Sequence, residues 1–157
     1  MTKPAPHGEA TVTLVRVYDA PRELVWKAWT DPAHMAQWFG PKGFTSSVPQ
    51  LDVRVGGTLR IVMHGCDGND YPMKGVFREV TPPARLVFSN IAVDNDGNHL
   101  LEGETTVTLE EQGGKTKLTL RTYAKGLVPM APQMLAGMEA GWSQSLDKLE
   151  ELVARGG

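Results

Sequence analysis

A single cysteine, Cys66, in 157 residues leaves no partner for an internal disulfide, so the fold is expected to hold together by burial alone. Long apolar runs are missing as well. No stretch approaches the roughly 18 apolar residues of a membrane span, and the opening Met-Thr-Lys-Pro-Ala-Pro-His-Gly has no apolar signal core. A cytoplasmic location is the expectation. Charge of one sign is not concentrated anywhere either: 16 Lys and Arg stand against 18 Asp and Glu, scattered singly, for a formal charge of -2. That balance gives no electrostatic reason to approach nucleic acid.

Recognised catalytic and metal spacings are absent too. His34, His64 and His99, with Cys66, Asp67 and Asp70, are the residues closest to metal or acid-base chemistry, yet no Cys-x-x-Cys, His-x-x-x-His or His-Glu-x-x-His occurs. The run Asp94-Asn-Asp-Gly-Asn98 hints at calcium, but aligning Gly97 with the glycine of a calcium-binding loop puts Ala92 and Gly103 where carboxylate ligands belong. It reads as a hairpin turn. Ser143 and Ser145 have no evident base beside them, no Gly-x-Ser-x-Gly elbow exists, and Gly56-Gly57 is followed by a strand rather than a phosphate-binding helix. Glu79, Glu102, Glu104 and Arg121 are ionisable strand residues whose orientation would decide whether they matter. No catalytic residue, metal site or cofactor is expected.

What the chain does have is 41% hydrophobic residues, enough for a substantial core at this length, in two distinct patterns. The stretch Asp19 to Pro41 holds Trp26, Trp29 and Trp38 and carries two helix starts in close succession: Asp19 with Pro21 and Glu23, then Asp31-Pro32. Asp19 is expected to accept hydrogen bonds from the first turn. Helices this short depend on burial against something larger. Around them run segments of strand character, near Thr11 to Tyr18, Thr45 to Val53, Gly57 to His64, Tyr71 to Thr81, Arg85 to Val93, Leu101 to Glu111 and Lys115 to Ala124. Their separators are short and rich in Gly, Pro, Asn and Asp, which implies antiparallel neighbours. Leu135, Met138, Trp142, Leu146, Leu149, Leu152 and Val153 then recur at helical spacing, predicting one long helix from about Ala131 to Ala154.

The expected fold is α+β: strand, two short helices, six strands, long helix, with a twisted antiparallel sheet curling around the last helix. Such a sheet encloses more volume than small side chains fill. Inward candidates include Gly75, Ala92, Thr105, Thr122, Gly137 and Gly141 beside Ile61, Met63, Met73, Val107, Met134 and Met138, so a ligand cavity is predicted. Met134 and Met138 stand four apart on one helical face, and methionine suits an adaptable wall. Trp38 and Phe39, next to Gly40-Pro41, are candidates for the cavity mouth, whereas Trp26 and Trp29 are expected to anchor the helix pair and Trp142 to pack in the core. Leu146, Leu149, Leu152 and Val153 are assigned to solid core.

Ala20-Pro-Arg-Glu-Leu-Val-Trp26, Thr30-Asp-Pro32, Trp38-Phe-Gly-Pro41, Val55-Gly-Gly57, Gly75-Val-Phe-Arg-Glu-Val80, Pro82-Pro-Ala-Arg-Leu-Val87 and Gly141-Trp-Ser-Gln-Ser-Leu-Asp-Lys-Leu149 are individually short, but their order and spacing are specific. On them the chain, from Thr11 to Val153, resembles the START-like or SRPBCC superfamily with the helix-grip fold, in the branch similar to the C-terminal domain of the Hsp90 ATPase activator. The resemblance implies residues 1–10 as a flexible N-terminus, 11–157 as one domain, and a hydrophobic cavity between sheet and long helix for lipids, polyketides, hormones or other apolar molecules. Its expected lining is Trp38, Phe39, Ile61, Met63, Met73, Phe77, Phe88, Val107, Met134 and Met138. The chaperone-activating role belongs to larger relatives with an additional N-terminal domain, for which this chain has no room, so Hsp90 is not an expected partner. Binding of a small hydrophobic molecule is the leading expectation. A cavity-based cyclase, hydrolase or dehydratase and a protein-interaction domain are the alternatives, and pairing of exposed strand edges near Leu101 to Glu111 would give a homodimer.

Overall fold

The computed structural model describes residues 7–156. Its elements follow in the order β1 (Glu9–Tyr18), α1 (Arg22–Thr30), α2 (Pro32–Trp38), β2 (Thr45–Leu51), β3 (Thr58–His64), β4 (Asp70–Thr81), β5 (Arg85–Val93), β6 (His99–Gln112), β7 (Lys115–Gly126), α3 (Ala131–Ala136) and α4 (Met138–Ala154). The strands form one antiparallel sheet in the order β1-β7-β6-β5-β4-β3-β2. Consecutive strands from β2 to β7 pair as hairpins, and the chain's first strand closes on its last, from Glu9↔Lys125 to Tyr18↔Thr116. That pairing draws Glu9 and Ala10 into β1; of the stretch expected to be flexible, residues 1–6 lie outside the described residues. Because β6 lies between β5 and β7, the segment Leu101 to Glu111 is no edge, contrary to expectation, and the free edges are β1 and β2.

Alternation places one set of side chains on the concave face, where α4 lies. Leu146, Leu149, Leu152 and Val153 of α4 are buried there, in one cluster with Leu59 and Ile61 of β3, Phe77 of β4, Leu86 and Phe88 of β5, Val107 and Leu109 of β6, and Leu118 and Leu120 of β7. Strands approach so closely at two places that no Cβ would fit: one at Gly103 would collide with the Tyr123 carbonyl, and one at Gly75 with the Ser89 carbonyl. On the outer face, Glu79 meets Arg85 at 3.1 Å, Glu104 meets Arg78 at 3.1 Å and Glu102 meets Lys125 at 3.5 Å. Arg121 is likewise exposed. None of these ionisable strand residues turns inward.

Two helix boundaries differ from expectation. Asp19 does not cap α1; Pro21 holds that position, and its carbonyl accepts from the amides of Leu24 and Val25 at 3.1 and 3.3 Å. Asp31 does cap α2, taking hydrogen bonds from Ala33 N at 2.9 Å and His34 N at 3.4 Å. The final helix is two helices, parted at Gly137. Glycine is a poor helix interior residue, and the Gly137 amide bonds Met134 O, three residues back, at 3.2 Å, so the turn tightens and the axis is interrupted.

Tyr18 ties the last strand pair to α4. It is fully buried, and its hydroxyl donates to Leu146 O at 3.0 Å. Burial raises its ionisation far above the ordinary phenol range; Arg16 pulls the other way, and Glu150 and Asp147 add to the rise. The folded phenol is thus a weaker acid than the unfolded one, so the stability it contributes is complete below pH of about 10 and is lost as pH climbs beyond that. Unfolding free energy measured by urea titration is expected to fall above that pH in the native chain. Tyr18→Phe is expected to show a shallower decline while losing about 1 kcal/mol at neutral pH.

Candidate ligand cavity

The inner face of the sheet changes character along each strand. β3 runs from Leu59 and Ile61 in the solid core to Met63 on a void, and β4 from Phe77 to Met73. β5 passes from Leu86 and Phe88 to Asn90 and Ala92, β6 from Leu109 and Val107 to Leu101, and β7 from Leu118 and Leu120 to Thr122 and Ala124. Opposite this smaller set lie Gly137 between the last two helices, Met138 and Gly141 at the start of α4, and Gln133 and Met134 of α3. A Cβ on Gly141 would meet only Pro41 Cγ, at 3.6 Å, and one on Gly137 only backbone at 3.7 Å or more. The two sides meet only in part, in a small cluster of Leu101, Ala124, Ala131 and Leu135 with Ala92, Met134 and Met138 against it, and a cavity of about 330 Å³ remains, partly open to solvent.

Of the expected lining, Phe39, Met63, Met73, Met134 and Met138 border the cavity. Trp38, Ile61, Phe77, Phe88 and Val107 lie instead in the solid core. Phe77 and Phe88 pair edge to face across two strands, with centroids 5.9 Å apart. Trp38 is turned inward by its indole N-H, which donates to Ala28 O at 2.9 Å. Trp142, expected in the core, lines the cavity in its place: Phe39 meets it edge-on at 5.5 Å, and Trp29 stacks behind it at 6.2 Å. Together these rings close one end of the chamber.

Beyond the aromatic end, Gly40 and Pro41 line the cavity at its rim, and the segment Gly40 to Phe44 is fastened to α4. Gly40 N donates to Ser145 Oγ at 3.1 Å and Lys42 N to Gln144 Oε1 at 3.0 Å, while Lys148 Nζ donates to the carbonyls of Gly40 and Phe44 at 3.2 and 3.3 Å. Burial alone lowers the Lys148 ammonium's pKa. Gln144, Ser145 and Lys148 were not legible as a group, because their partners are backbone atoms about a hundred residues away.

None of the lining side chains is ionisable. Polar ones are Asn90, Thr122, Gln133 and Ser145. Asn90 is not among the residues expected from the sequence, although counting in twos from Leu86 and Phe88 carries it onto the inner face. Among the described residues no group of three or more His, Cys, Asp or Glu side chains converges.

One surface cluster has the order of a nucleophile, base and orienting acid. Ser47 Oγ lies 2.7 Å from His64 Nε2, and His64 Nδ1 lies 2.7 Å from Asp70 Oδ1. Their strand positions put them on the face opposite Met63 and the cavity, and both His64 and Asp70 are more than a third exposed. Neither the cavity nor the shallow groove between β2 and β5 is lined by any of the three. Nothing there excludes water or embraces a substrate. The cluster ties edge strand β2 to β3 and β4.

The model of the family described as "Activator of Hsp90 ATPase homolog 1-like protein" matches residues 19–154. The chain belongs to this family. A protein from Chromobacterium violaceum shares the family's fold with a TM-score of 0.79 and 29% identity, over 91% of this chain and 96% of its own. One from Arthrobacter aurescens gives 0.82 and 25%, over 92% and 86%. The AHSA1 protein from Silicibacter pomeroyi gives 0.76 and 27%, over 94% of this chain and all of its own. No curated protein matches. The family's START-like, helix-grip architecture is the one the sequence motifs implied, and no described helix is long and apolar enough to cross a membrane.

The latch on the mouth is testable. Ser145→Ala leaves the buried Gly40 amide without its acceptor and is expected to cost about 1–3 kcal/mol in urea unfolding. Hydrogen exchange at Gly40 should accelerate with it; unchanged exchange would show that the mouth is held by other contacts.

Proposed function

We propose that the protein binds and carries or sequesters a small, mostly apolar molecule in the chamber between the sheet and α3–α4. One observation carries this reading: a 330 Å³ void walled by methionine, aromatic and aliphatic side chains, without an ionisable group, beside a solid core cluster. The volume falls in the range of small-molecule sites. A ligand that loses roughly 200 Å² of apolar surface gains about 5 kcal/mol from that alone, against which the cost of immobilising it must be set. Met63, Met73, Met134 and Met138 supply a soft wall that can adjust to ligand shape.

An enzyme on this scaffold would need groups that move protons or attack carbon inside the chamber, and its lining offers hydroxyls and amides only. An interaction domain of the co-chaperone kind would have little use for a hollow interior; the exposed large apolar residues Val15, Val17, Val55, Tyr71, Val76 and Met130 sit on several elements rather than in one hydrophobic cluster. A cytoplasmic carrier is the reading these features support, with Hsp90 outside it.

Gly141→Leu fills the chamber from a helical position that tolerates a side chain. The expected result is at least a tenfold loss of binding of N-phenylnaphthylamine, followed by its fluorescence, with stability unchanged or raised by up to about 1 kcal/mol. Met138→Trp should act likewise. Undiminished dye binding in both variants would refute the assignment of the chamber. Native mass spectrometry of protein from its own host is expected to show a retained small molecule.

A further inference from the structure

We infer that the molecule held in this chamber is uncharged and carries a carbonyl-type acceptor that meets the side-chain amide of Asn90. The inference rests on the carrier reading and deepens it. Its basis is a count of protons in the polar patch at the middle of the sheet wall.

Thr105 and Thr122 face each other across β6 and β7, fully buried or nearly so, with their hydroxyl oxygens 2.8 Å apart. Thr105 Oγ1 also lies 2.8 Å from Asn90 Oδ1, an atom that can only accept. Thr105 has one proton, which therefore goes to Asn90. Thr122 must then give its own proton to Thr105. The relay runs in one direction, from Thr122 through Thr105 to Asn90, and both hydroxyl protons are spent.

Asn90 Nδ2 is left with two protons and no acceptor in reach among the described residues, on a side chain that lines the chamber. The other polar lining groups offer less. Ser145 Oγ donates to Gly141 O at 3.0 Å while accepting from Gly40, and Gln133 stands exposed at the entrance. Thr122 Oγ1, its proton spent, can still accept but is only 1% exposed, so the open polar group on the sheet wall is the Asn90 donor, fixed in orientation by the two threonines behind it. A ligand that buries an oxygen against it satisfies both partners; one without an acceptor leaves the amide unpaired.

The same wall selects against charge. No lining side chain is ionisable, so a carboxylate pushed to Asn90 would lose its water and gain only an amide dipole. Ketones, aldehydes, lactones, esters and amides on an apolar frame fit; free fatty acids fit only with the carboxylate left at the mouth.

Three probes of nearly equal shape test this: acetylnaphthalene, isopropenylnaphthalene, in which the carbonyl oxygen is replaced by a methylene, and naphthoate. Affinities are read from quenching of tryptophan fluorescence, since Trp142 walls the chamber. The hydrocarbon leaves water more readily than the ketone, so the quantity to follow is the ratio of the two affinities across variants. Asn90→Leu is expected to shift that ratio about fivefold against acetylnaphthalene. Should this variant be unstable through the orphaned Thr105 hydroxyl, Asn90→Leu with Thr105→Val removes both partners together. In the native protein the Asn90 side-chain amide protons should move downfield with acetylnaphthalene and not with isopropenylnaphthalene. An unchanged ratio and unmoved resonances overturn the inference while leaving the carrier reading intact, and naphthoate as the tightest of the three overturns its restriction to uncharged ligands. Failure of every probe to bind overturns the carrier reading and this inference together.

Discussion

The register of the seven-stranded sheet is the constraint on which the rest of the molecule depends. With a side-chain period of two, each strand commits every second residue to the concave face, and a slip of one residue would exchange the whole inner set for the outer. β1 fixes the closing register, since Glu9↔Lys125 through Tyr18↔Thr116 leaves no freedom between the first strand and the last. Tyr18 then carries that register to α4 through its hydrogen bond to Leu146 O. Once the strands are locked, the size of each inward residue decides locally whether the interior is filled or hollow.

In this chain the sizes are sorted. Leu59, Ile61, Phe77, Leu86, Phe88, Val107, Leu109, Leu118 and Leu120 meet the leucines of α4, and that half of the groove is solid. Met63, Met73, Asn90, Ala92, Thr122 and Ala124 face Gly137, Met138 and Gly141, and that half holds the cavity beside a smaller cluster of Leu101, Ala124, Ala131 and Leu135. The same glycine that interrupts the last helix also withholds a side chain from the void. A straight, fully substituted helix would lay two more side chains into the space and close it. The cavity is therefore a product of composition at a few positions as much as of the fold.

Strand and helix positions were legible because turn residues and periodicity are local signals: Arg85 to Val93 was located to the residue, and the other strands to within two or three at each end. The cavity was legible only in part. Its methionines announce themselves by type and spacing, as do Phe39 and the glycines of α4. Ile61, Phe77, Phe88 and Val107 were expected at the cavity and lie in the core because alternation identifies the inner face but not the distance along it; that needs the register between strands. Trp38 and Trp142 exchange roles for a similar reason. A hydrogen bond from one indole to Ala28 O turns Trp38 into the core, and no pattern in the sequence encodes it. The expectation of an edge near Leu101 failed on topology, since nothing local says that β1 crosses to β7 rather than to a nearer strand.

Sorting the interior in this way separates two demands that usually compete. The solid half buries the large branched and aromatic residues that supply most of the stability, and it includes the contacts of β1, α1 and α4 that close the sheet. The half with the cavity buries a smaller cluster, Leu101, Ala124, Ala131 and Leu135, so the residues outside that cluster can change with less cost to the fold, provided that the backbone latch of Gly40 to Phe44 on Gln144, Ser145 and Lys148 is kept. Within it Asn90 cannot vary freely either. Its carbonyl oxygen is the end of a buried relay, and replacing it strands the Thr105 proton at the centre of the sheet. A polar residue whose one end is required by the fold and whose other end is open to the cavity thus ties the packing of the sheet to the polarity of the cavity wall at one position.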